Sequence, residues 1–179
     1  MDPKIRESDV TKGVFFIEPE PIPDERGRFT EIFRQEWVPG AGEMVQVNRS
    51  DSKAGVLRGM HYHLFQADYW VVTHGKAFIA LFDFRASSKT AEATETFEVD
   101  GDRQTGIYIP PGVAHGFCAI TDTTLLYMVD QYFDGTDELG IYYADEGLSI
   151  PWPSDAPTIS ERDQSCPLMV DIEEDNLPF

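Results

Sequence analysis

The sequence has few cysteines and no long apolar segment, and each shortage excludes a class of protein. Its 179 residues include only two cysteines, Cys118 and Cys166, too few for the disulfide framework of a small secreted protein. No apolar run approaches the ~18 residues that a membrane-spanning helix needs, and the polar N-terminus lacks the apolar core of a signal peptide. We therefore expect a cytoplasmic protein that does not bind membranes.

Basic residues are also scarce. The chain has 14 lysines and arginines against 32 aspartates and glutamates, which gives a formal net charge of −18. Such a surface repels phosphate backbones, so we expect no binding to nucleic acid. An anionic small substrate would require a local group of arginines.

Helical periodicity is absent over any long stretch, and short extended runs dominate. Turn residues such as those at 24–27, 110–112 and 133–135 separate runs rich in β-branched and aromatic residues. We predict strands at residues 13–18, 28–33, 44–48, 55–63, 69–73, 76–85, 96–99, 104–109, 115–120 and 124–133. Short helices are predicted at 34–38 and 160–164.

This order of elements predicts an all-β fold, a jelly roll or barrel with short peripheral helices. The length is suited to a single domain over residues 1–179, with 41% hydrophobic residues to fill its core. Acidic and proline-rich segments predict an N-terminal arm at 1–12 and a C-terminal arm at about 154–179 that carries the second short helix.

Histidines are the first candidates for chemistry, since the chain has only four: His61, His63, His74 and His115. His61 and His63 would share one face of a strand, because side chains on a strand alternate. Two imidazoles inside a barrel are costly without partners. Either they are neutral and hydrogen-bonded, or they share a metal ion or a bound anion.

Two segments that contain histidines resemble the motifs of the cupin superfamily. Residues 55–68, followed by Gly75, resemble the first motif, with Asp68 in place of the usual glutamate. Residues 110–115 resemble the second motif. The resemblance implies a cupin-type jelly-roll barrel. In metal-binding cupins these positions supply the ligands of a divalent transition metal, which here would be His61, His63, Asp68 and His115.

Blocks along nearly the whole chain resemble the dTDP-4-dehydrorhamnose 3,5-epimerase family. They lie at residues 17–19, 24–31, 46–50, 55–62, 109–117, 127–133, 150–153 and 159–163. The family acts on nucleotide-linked 4-keto-6-deoxy sugars, generally as homodimers and usually without a metal. The resemblance therefore implies an isomerase that binds a nucleotide-diphosphate sugar, forms a homodimer and requires no cofactor.

Epimerisation beside a ketone needs a base for the α-proton, a group that stabilises the enolate, and an acid on the opposite face. The resemblance implies that His61 is the base, that Asp163 orients it and that Tyr127 is the acid. It also implies a set of substrate-binding residues, of which the two arginines would contact the diphosphate: Arg26, Phe29, Glu31, Gln46, Asn48, Arg58 and His115.

The sequence departs from this family at neighbouring positions. Asp68 stands where the family keeps a lysine, and His63 replaces the usual glutamine. A carboxylate repels an enolate, but the two changes together complete a metal-ligand set, so a divalent metal would replace the lysine. In that case His61 is a ligand, and Tyr127 or a metal-bound water moves the proton. Phe133 stands where many epimerases carry a second tyrosine.

Two enzymatic functions stay open at this point. The first is an epimerase or isomerase that abstracts an α-proton next to the C4 ketone of a dTDP-4-keto-6-deoxyhexose and inverts C3, C5 or both. The second is a metal-dependent cupin enzyme, a metal-assisted isomerase or an oxygenase, that uses the four-residue metal set. A binding module without catalysis is disfavoured, because it has no need of His61, Tyr127 and Asp163 together.

Overall fold

The structure of the chain, a computed structural model, describes residues 2–38 and 40–178. Its strands, numbered in chain order, are β1 (Lys4–Glu7), β2 (Phe15–Glu18), β3 (Ile22–Asp24), β4 (Gly27–Phe29), β5 (Gln46–Ser52), β6 (Leu57–Tyr62), β7 (Asp68–His74), β8 (Lys76–Asp83), β9 (Thr94–Asp100), β10 (Gly106–Ile109), β11 (Val113–Ala119), β12 (Thr123–Val129) and β13 (Leu139–Gly140). The helix α1 spans Glu161–Gln164, and single 3₁₀ turns lie at Gln35–Trp37, Glu146–Leu148, Met169–Asp171 and Glu174–Asn176. Within these described ranges, no helix has the length and apolar character that crossing a membrane requires.

The strands form two large antiparallel sheets and a hairpin. The first sheet has the order β1-β2-β10-β7-β12-β5, the second has the order β13-β6-β11-β8-β9, and β3 pairs with β4. Apolar side chains of both sheets, among them Trp70, Leu125, Ile79 and Phe117, meet between them in one buried cluster. The sheets are therefore the two layers of a jelly roll, which confirms the all-β prediction.

Strand β7 illustrates how the core is divided. Trp70 and Val72 face the cluster between the sheets, whereas Tyr69 and Val71 face a second cluster on the outer side of the first sheet, where Trp37 packs. Because both faces of β7 are covered, its sequence is an almost continuous apolar run without the usual alternation.

Two of the predicted strands extend four residues past the ends of the observed strands. The strand predicted at 28–33 is wrong beyond Phe29, because the residues that follow leave the hairpin and turn toward the outer face of the first sheet. The strand predicted at 124–133 ends at Val129. Asp130 then uses its carboxylate to accept a hydrogen bond from the backbone of the loop before β7, at 2.8 Å.

The two predicted helices have different outcomes. The helix predicted at 34–38 is a single 3₁₀ turn, Gln35–Trp37, too short to be a helix. The helix predicted at 160–164 is confirmed as α1, with the Ser160 hydroxyl accepting a hydrogen bond from the Asp163 N–H at 3.1 Å. A capping residue is a local signal, and for this reason the second prediction succeeds.

Both terminal segments contact the sheets. Within the predicted arm at 1–12, β1 pairs with β2 through its backbone, although its four side chains are exposed. Within the segment 154–179, Met169 packs against the apolar cluster on the outer face of the second sheet. The Tyr62 hydroxyl donates a hydrogen bond to the Asn176 carbonyl at 3.0 Å. The C-terminal segment therefore covers the side of the second sheet that faces away from the first.

Candidate active site

A cavity of about 210 Å³ lies between the two sheets. Residues of β5, β7 and β12 line it from the first sheet, and residues of β6 and β11 line it from the second. The residues that the sequence analysis singled out and that reach this cavity are Arg58, His61, His63, Asp68, His115 and Tyr127. This cavity is the candidate active site.

The first functional pair joins two residues that are 102 positions apart in the chain. His61 Nε2 lies 2.9 Å from Asp163 Oδ1, and Asp163 Oδ2 accepts a hydrogen bond from the Gly59 N–H at 3.2 Å. Burial alone would raise the pKa of Asp163, but the hydrogen bond and charge of His61, together with the Gly59 N–H, hold this pKa below its ordinary value. Asp163 is therefore an ionised carboxylate that orients the His61 ring.

The short helix α1 explains why Asp163 is available at this place. The Ser160 hydroxyl caps the helix by accepting a hydrogen bond from the Asp163 N–H. Asp163 is the residue of this short helix that is buried. A parallel bridge between Val56 and Thr158 ties the segment before the helix to the start of β6. The cap and the bridge together bring the carboxylate next to His61.

A β-bulge in β6 places Arg58 and His61 on the same side of the sheet. His61 pairs with His115, but the next pair joins Arg58 to a residue only two further along β11, so β6 carries one extra residue. In a regular strand, residues three apart face opposite sides, and the bulge reverses this relation. Gly59, inside the bulge, has φ of +126°, and a Cβ there would lie 2.6 Å from the Gly116 Cα.

Tyr127 lines the cavity from the first sheet, whereas His61 lines it from the second. Its strand, β12, pairs with β5 on one side and with β7 on the other, which holds the backbone in place. Burial is the main cause that raises the pKa of Tyr127, and the charges of Asp68 and Glu138 add to it. The phenol is therefore protonated at neutral pH and is able to donate its proton.

Three buried side chains, His63, Asp68 and His115, meet in the wall of the same cavity, with their potential ligand atoms within 4.8 Å of one another. His63 Nδ1 lies 2.6 Å from the Asp137 carbonyl oxygen, and His115 Nδ1 lies 2.9 Å from the Val113 carbonyl oxygen. Burial lowers the pKa of His115 to about 4, although the Asp68 charge acts in the opposite direction. His115 is therefore a neutral imidazole at neutral pH.

The four-residue metal set implied by the cupin resemblance divides into two groups. Within the described residues, the cluster consists of His63, Asp68 and His115. His61 is not part of it, because its Nε2 lies beside Asp163. The Asp68 carboxylate accepts hydrogen bonds from Gln66 Nε2 and from Trp70 Nε1, each at 2.9 Å. His61 Nε2 is thus engaged with Asp163 and is not presented to the cluster as a fourth ligand.

Gln46 and Asn48 line an adjoining cavity of about 170 Å³, which shares Gln66, Tyr127 and Glu138 with the first. The Gln46 side-chain N–H donates to Asn48 Oδ1 at 3.0 Å, so both amides lie on one face of β5. This is the arrangement that their spacing of two residues predicts. The candidate site therefore continues along β5 beyond Tyr127.

Three of the residues expected to bind substrate lie outside both cavities in the single chain. Arg26, in the hairpin of β3 and β4, is bound to the Asp24 carboxylate. Phe29 is 66% exposed, and Glu31 is paired with Arg34. One chain alone does not bring these three residues to the remainder of the candidate site.

Seven lining residues were not identified as site residues from the sequence, among them Gln66, Trp70, Glu138 and Arg162. Trp70 lies two residues after Asp68 on the same face of β7, a spacing that would have identified it. Arg162 directly precedes the aspartate of α1. Glu138 lies in a loop, where it is paired with Arg162 at 3.3 Å, and no periodic pattern marks it.

The chain is similar in sequence to known epimerases over most of its length. The sequence model of the family described as dTDP-4-dehydrorhamnose 3,5-epimerase matches residues 9–171. A dTDP-4-dehydrorhamnose 3,5-epimerase of Shigella flexneri is 34% identical over 168 residues, which cover 89% of this chain and 93% of the relative.

Solved structures show the same similarity in three dimensions. A dTDP-6-deoxy-D-glucose-3,5-epimerase of Legionella pneumophila, in complex with dTDP-4-keto-L-rhamnose, aligns with a TM-score of 0.91 and 30% identity, covering 98% of this chain and 97% of that one. A 3'-monoepimerase of Streptomyces bikiniensis, in complex with dTDP-quinovose, aligns with a TM-score of 0.88 and 32% identity, covering 97% and 92%. These likenesses confirm the prediction of a cupin-type jelly roll.

Proposed function

Since this chain belongs to the dTDP-4-dehydrorhamnose 3,5-epimerase family, we propose that it epimerises a dTDP-linked 4-keto-6-deoxyhexose by abstracting a proton next to the C4 ketone. The observation that carries this proposal is a single cavity with the His61–Asp163 pair on one sheet and Tyr127 on the other. The names of similar proteins support the substrate class, since one is bound to dTDP-4-keto-L-rhamnose and another to dTDP-quinovose. The family is one of isomerases, which favours epimerisation over the chemistry of a metal-dependent oxygenase.

His61 acts as the base through Nδ1. Because the ionised Asp163 only accepts hydrogen bonds, the Nε2 beside it carries the ring proton and Nδ1 keeps the lone pair. When Nδ1 takes the α-proton, the C–H bonding pair moves into the enolate, and the Asp163 charge stabilises the imidazolium that forms. Asp163 is thus a positioning residue for His61.

Tyr127 returns a proton from the opposite side. A base and an acid on facing sheets lie on opposite faces of a sugar ring bound between them, so protonation of the enolate carbon by the phenol inverts that carbon. The tyrosinate then takes up a proton from solvent and the His61 imidazolium releases one, which restores both groups. Only His61 and Tyr127 exchange protons with the sugar, and Asp163 stays ionised throughout.

We assign the diphosphate to Arg58 and the nucleoside end to Gln46 and Asn48. Arg58 Nε donates to the Ser52 hydroxyl at 3.0 Å and Nη2 donates to the Asp51 carbonyl at 3.4 Å, which leaves the donors of Nη1 for oxyanions. Gln46 and Asn48 present amides in the adjoining cavity, next to the cavity of His61. A guanidinium in the cavity of His61 and amides in the adjoining cavity suit a ligand that carries sugar and nucleoside at its two ends.

We further propose that the active form is a homodimer in which a second copy completes each site. The hairpin of β3 and β4 carries Arg26 and the exposed Phe29 outside the single-chain cavities, and Ile22 on the same hairpin is also exposed. Strand β5 is the edge of the first sheet and exposes Val47. Exposed apolar side chains beside an unpaired edge are features that a partner covers.

The test of the function is solvent exchange at the sugar. The protein is incubated with dTDP-4-keto-6-deoxyglucose in D₂O, and the H3 and H5 signals are followed by NMR. Loss of one or both signals is expected, and the identity of the lost signal distinguishes 3-, 5- and 3,5-epimerisation. His61→Asn should abolish the exchange, whereas His74→Asn, outside both cavities, should not. If neither proton exchanges while an established epimerase works under the same conditions, the proposal fails for this substrate.

A further inference from the structure

We propose that His63, Asp68 and His115 form a binding site for one divalent transition-metal ion, separate from the His61–Asp163 pair. The three side chains are buried, and their potential ligand atoms all lie within 4.8 Å of one another. His63 directly follows β6 and Asp68 begins β7 after a short loop, whereas His115 lies on β11, so the fold brings the third side chain to the other two.

The two histidines direct unprotonated nitrogens toward the carboxylate. A carbonyl oxygen only accepts hydrogen bonds, so Nδ1 of His63 donates to Asp137 and Nδ1 of His115 donates to Val113. In a neutral ring the lone pair is then on Nε2. These Nε2 atoms lie 3.9 Å and 3.8 Å from the two oxygens of Asp68.

Three acceptors therefore converge, and none of them supplies a proton to another. Separations of 3.8–3.9 Å are too long for hydrogen bonds, and lone pairs facing a carboxylate repel it. A cation bound at roughly 2.0–2.2 Å from each atom would hold such ligand atoms about 3 to 4 Å apart and would satisfy all of them. Two imidazoles and one carboxylate are a set that suits first-row transition metals better than Mg²⁺ or Ca²⁺.

Outer hydrogen bonds already orient each of these groups. The backbone carbonyls fix both rings, and Trp70 Nε1 holds one oxygen of Asp68 at 2.9 Å. Gln66 Nε2 holds the other oxygen at 2.9 Å and also lies 3.2 Å from His63 Nε2. A bound metal ion would replace Gln66 as the partner of His63 Nε2. The Gln66 amide would keep its hydrogen bond to Asp68.

The ion would reverse the sign of the charge in this wall of the cavity. A carboxylate and two neutral imidazoles, the forms in which these side chains bind a metal, carry one negative charge in total, and a divalent cation makes the group positive. Resting on the proposed function, a cation held by these residues would stabilise the enolate oxygen, a task that a buried carboxylate opposes. His61 keeps its bond to Asp163 and stays available as the base.

The test measures metal binding and not turnover. Untagged protein is freed of metal with EDTA, and Co²⁺ or Zn²⁺ is titrated in by calorimetry, with the visible absorption of Co²⁺ as a second signal. We expect one ion per chain in the wild type, in His74→Gln and in His61→Asn. Asp68→Asn and His63→Gln should bind about 100-fold more weakly or not at all. Near-UV circular dichroism checks that each variant keeps the native fold.

Each outcome decides the matter. Absence of binding in the wild type, or equal affinity in folded Asp68→Asn and His63→Gln, would overturn the site, and loss of binding in His61→Asn would overturn its separation from the base. The D₂O exchange experiment, run with and without the metal, reports separately on the proposed function. Binding without any exchange would refute the function and leave the site standing, whereas exchange without binding would do the reverse.

Discussion

Two histidines face each other across β6 and β11, and what holds each ring decides its chemistry. His61 is partly exposed and gives Nε2 to the Asp163 carboxylate, which leaves Nδ1 as a base supported by a negative charge. His115 is buried and gives Nδ1 to a backbone carbonyl, which leaves Nε2 beside Asp68. A carboxylate next to one ring nitrogen stabilises the imidazolium that forms when the other nitrogen takes a proton. A carbonyl oxygen orients the ring but adds no full charge beside it.

Asp163→Asn should lower kcat by roughly 10²–10⁴-fold, because the amide neither fixes the proton on Nε2 nor stabilises the imidazolium. KM should change little, since Asp163 is proposed to act through His61 and not on the sugar. Steady-state kinetics and the rate of solvent exchange check this. Asp171→Asn, an exposed aspartate of the same terminal segment, is the control, and an unchanged kcat in Asp163→Asn would refute the positioning role.

Tyr127→Phe should separate proton abstraction from inversion. His61 still removes the α-proton and returns a deuteron to the same face in D₂O, so exchange at the sugar should persist while the epimer no longer forms. NMR follows the loss of the proton signal and the appearance of product in one sample. The exposed Tyr132 provides the control variant Tyr132→Phe. Product formation at the wild-type rate in Tyr127→Phe would show that another group is the acid.

Among the elements, β6 has the largest influence on the site. Its bulge aligns Arg58 with His61, and the register of β6 against β11 places His61 opposite His115. The bulge depends on backbones that approach each other closely at Gly59 and Gly116. An element with one extra residue thus decides which side chains reach the cavity.

Gly59→Ala should destabilise the fold more than the same change at Gly55, although both residues have a positive φ. At Gly55 a Cβ meets open space, so only the backbone cost of about 1–2 kcal/mol is expected. At Gly59 the Cβ would overlap the backbone of Gly116, and roughly 1–3 kcal/mol more should be lost. Urea unfolding of both variants measures the difference. Equal losses of stability in the two variants would mean that the close approach at Gly59 adds no further cost.

At the scale of the whole molecule, a strongly acidic chain is proposed to bind an anionic substrate. The net charge of −18 opposes this, so the few cations near the cavities, Arg58 and Arg162, must act locally. Arg26 would add a further cation if a second copy brought its hairpin to the site. The homodimer proposed above is therefore also an electrostatic requirement.

Mixing two inactive variants tests this arrangement. If Arg26 serves the site of its partner, heterodimers of Arg26→Ala and His61→Asn contain one intact site, and a 1:1 mixture that exchanges subunits should recover roughly a quarter of the wild-type sites. A mixture of His61→Asn and Asp163→Asn should recover nothing, because these residues act within one chain. Equal absence of activity in both mixtures, with subunit exchange verified by mass spectrometry, would exclude the shared site.

The fold class and several site residues could be predicted from the sequence, because their signals are local. Alternating apolar residues and turn residues indicate strands, and the serine that caps α1 marks the only predicted helix that is confirmed. The positions of His61, Tyr127 and Asp163 follow from blocks that resemble one family. The predicted ends of β4 and β12 were wrong, because contacts with residues distant in sequence determine where these strands stop.

The orientation of the site residues was decided by the tertiary structure alone. The sequence offered His61 both as a base oriented by Asp163 and as a metal ligand, and no local pattern decides between the two. A hydrogen bond across 102 positions turns Nε2 toward Asp163, while His63, Asp68 and His115 meet separately. The sequence determined which groups the protein has, because composition and strand patterning are local. Their pairing was decided by long-range packing, because ring orientation depends on whichever donor or acceptor the fold places beside it.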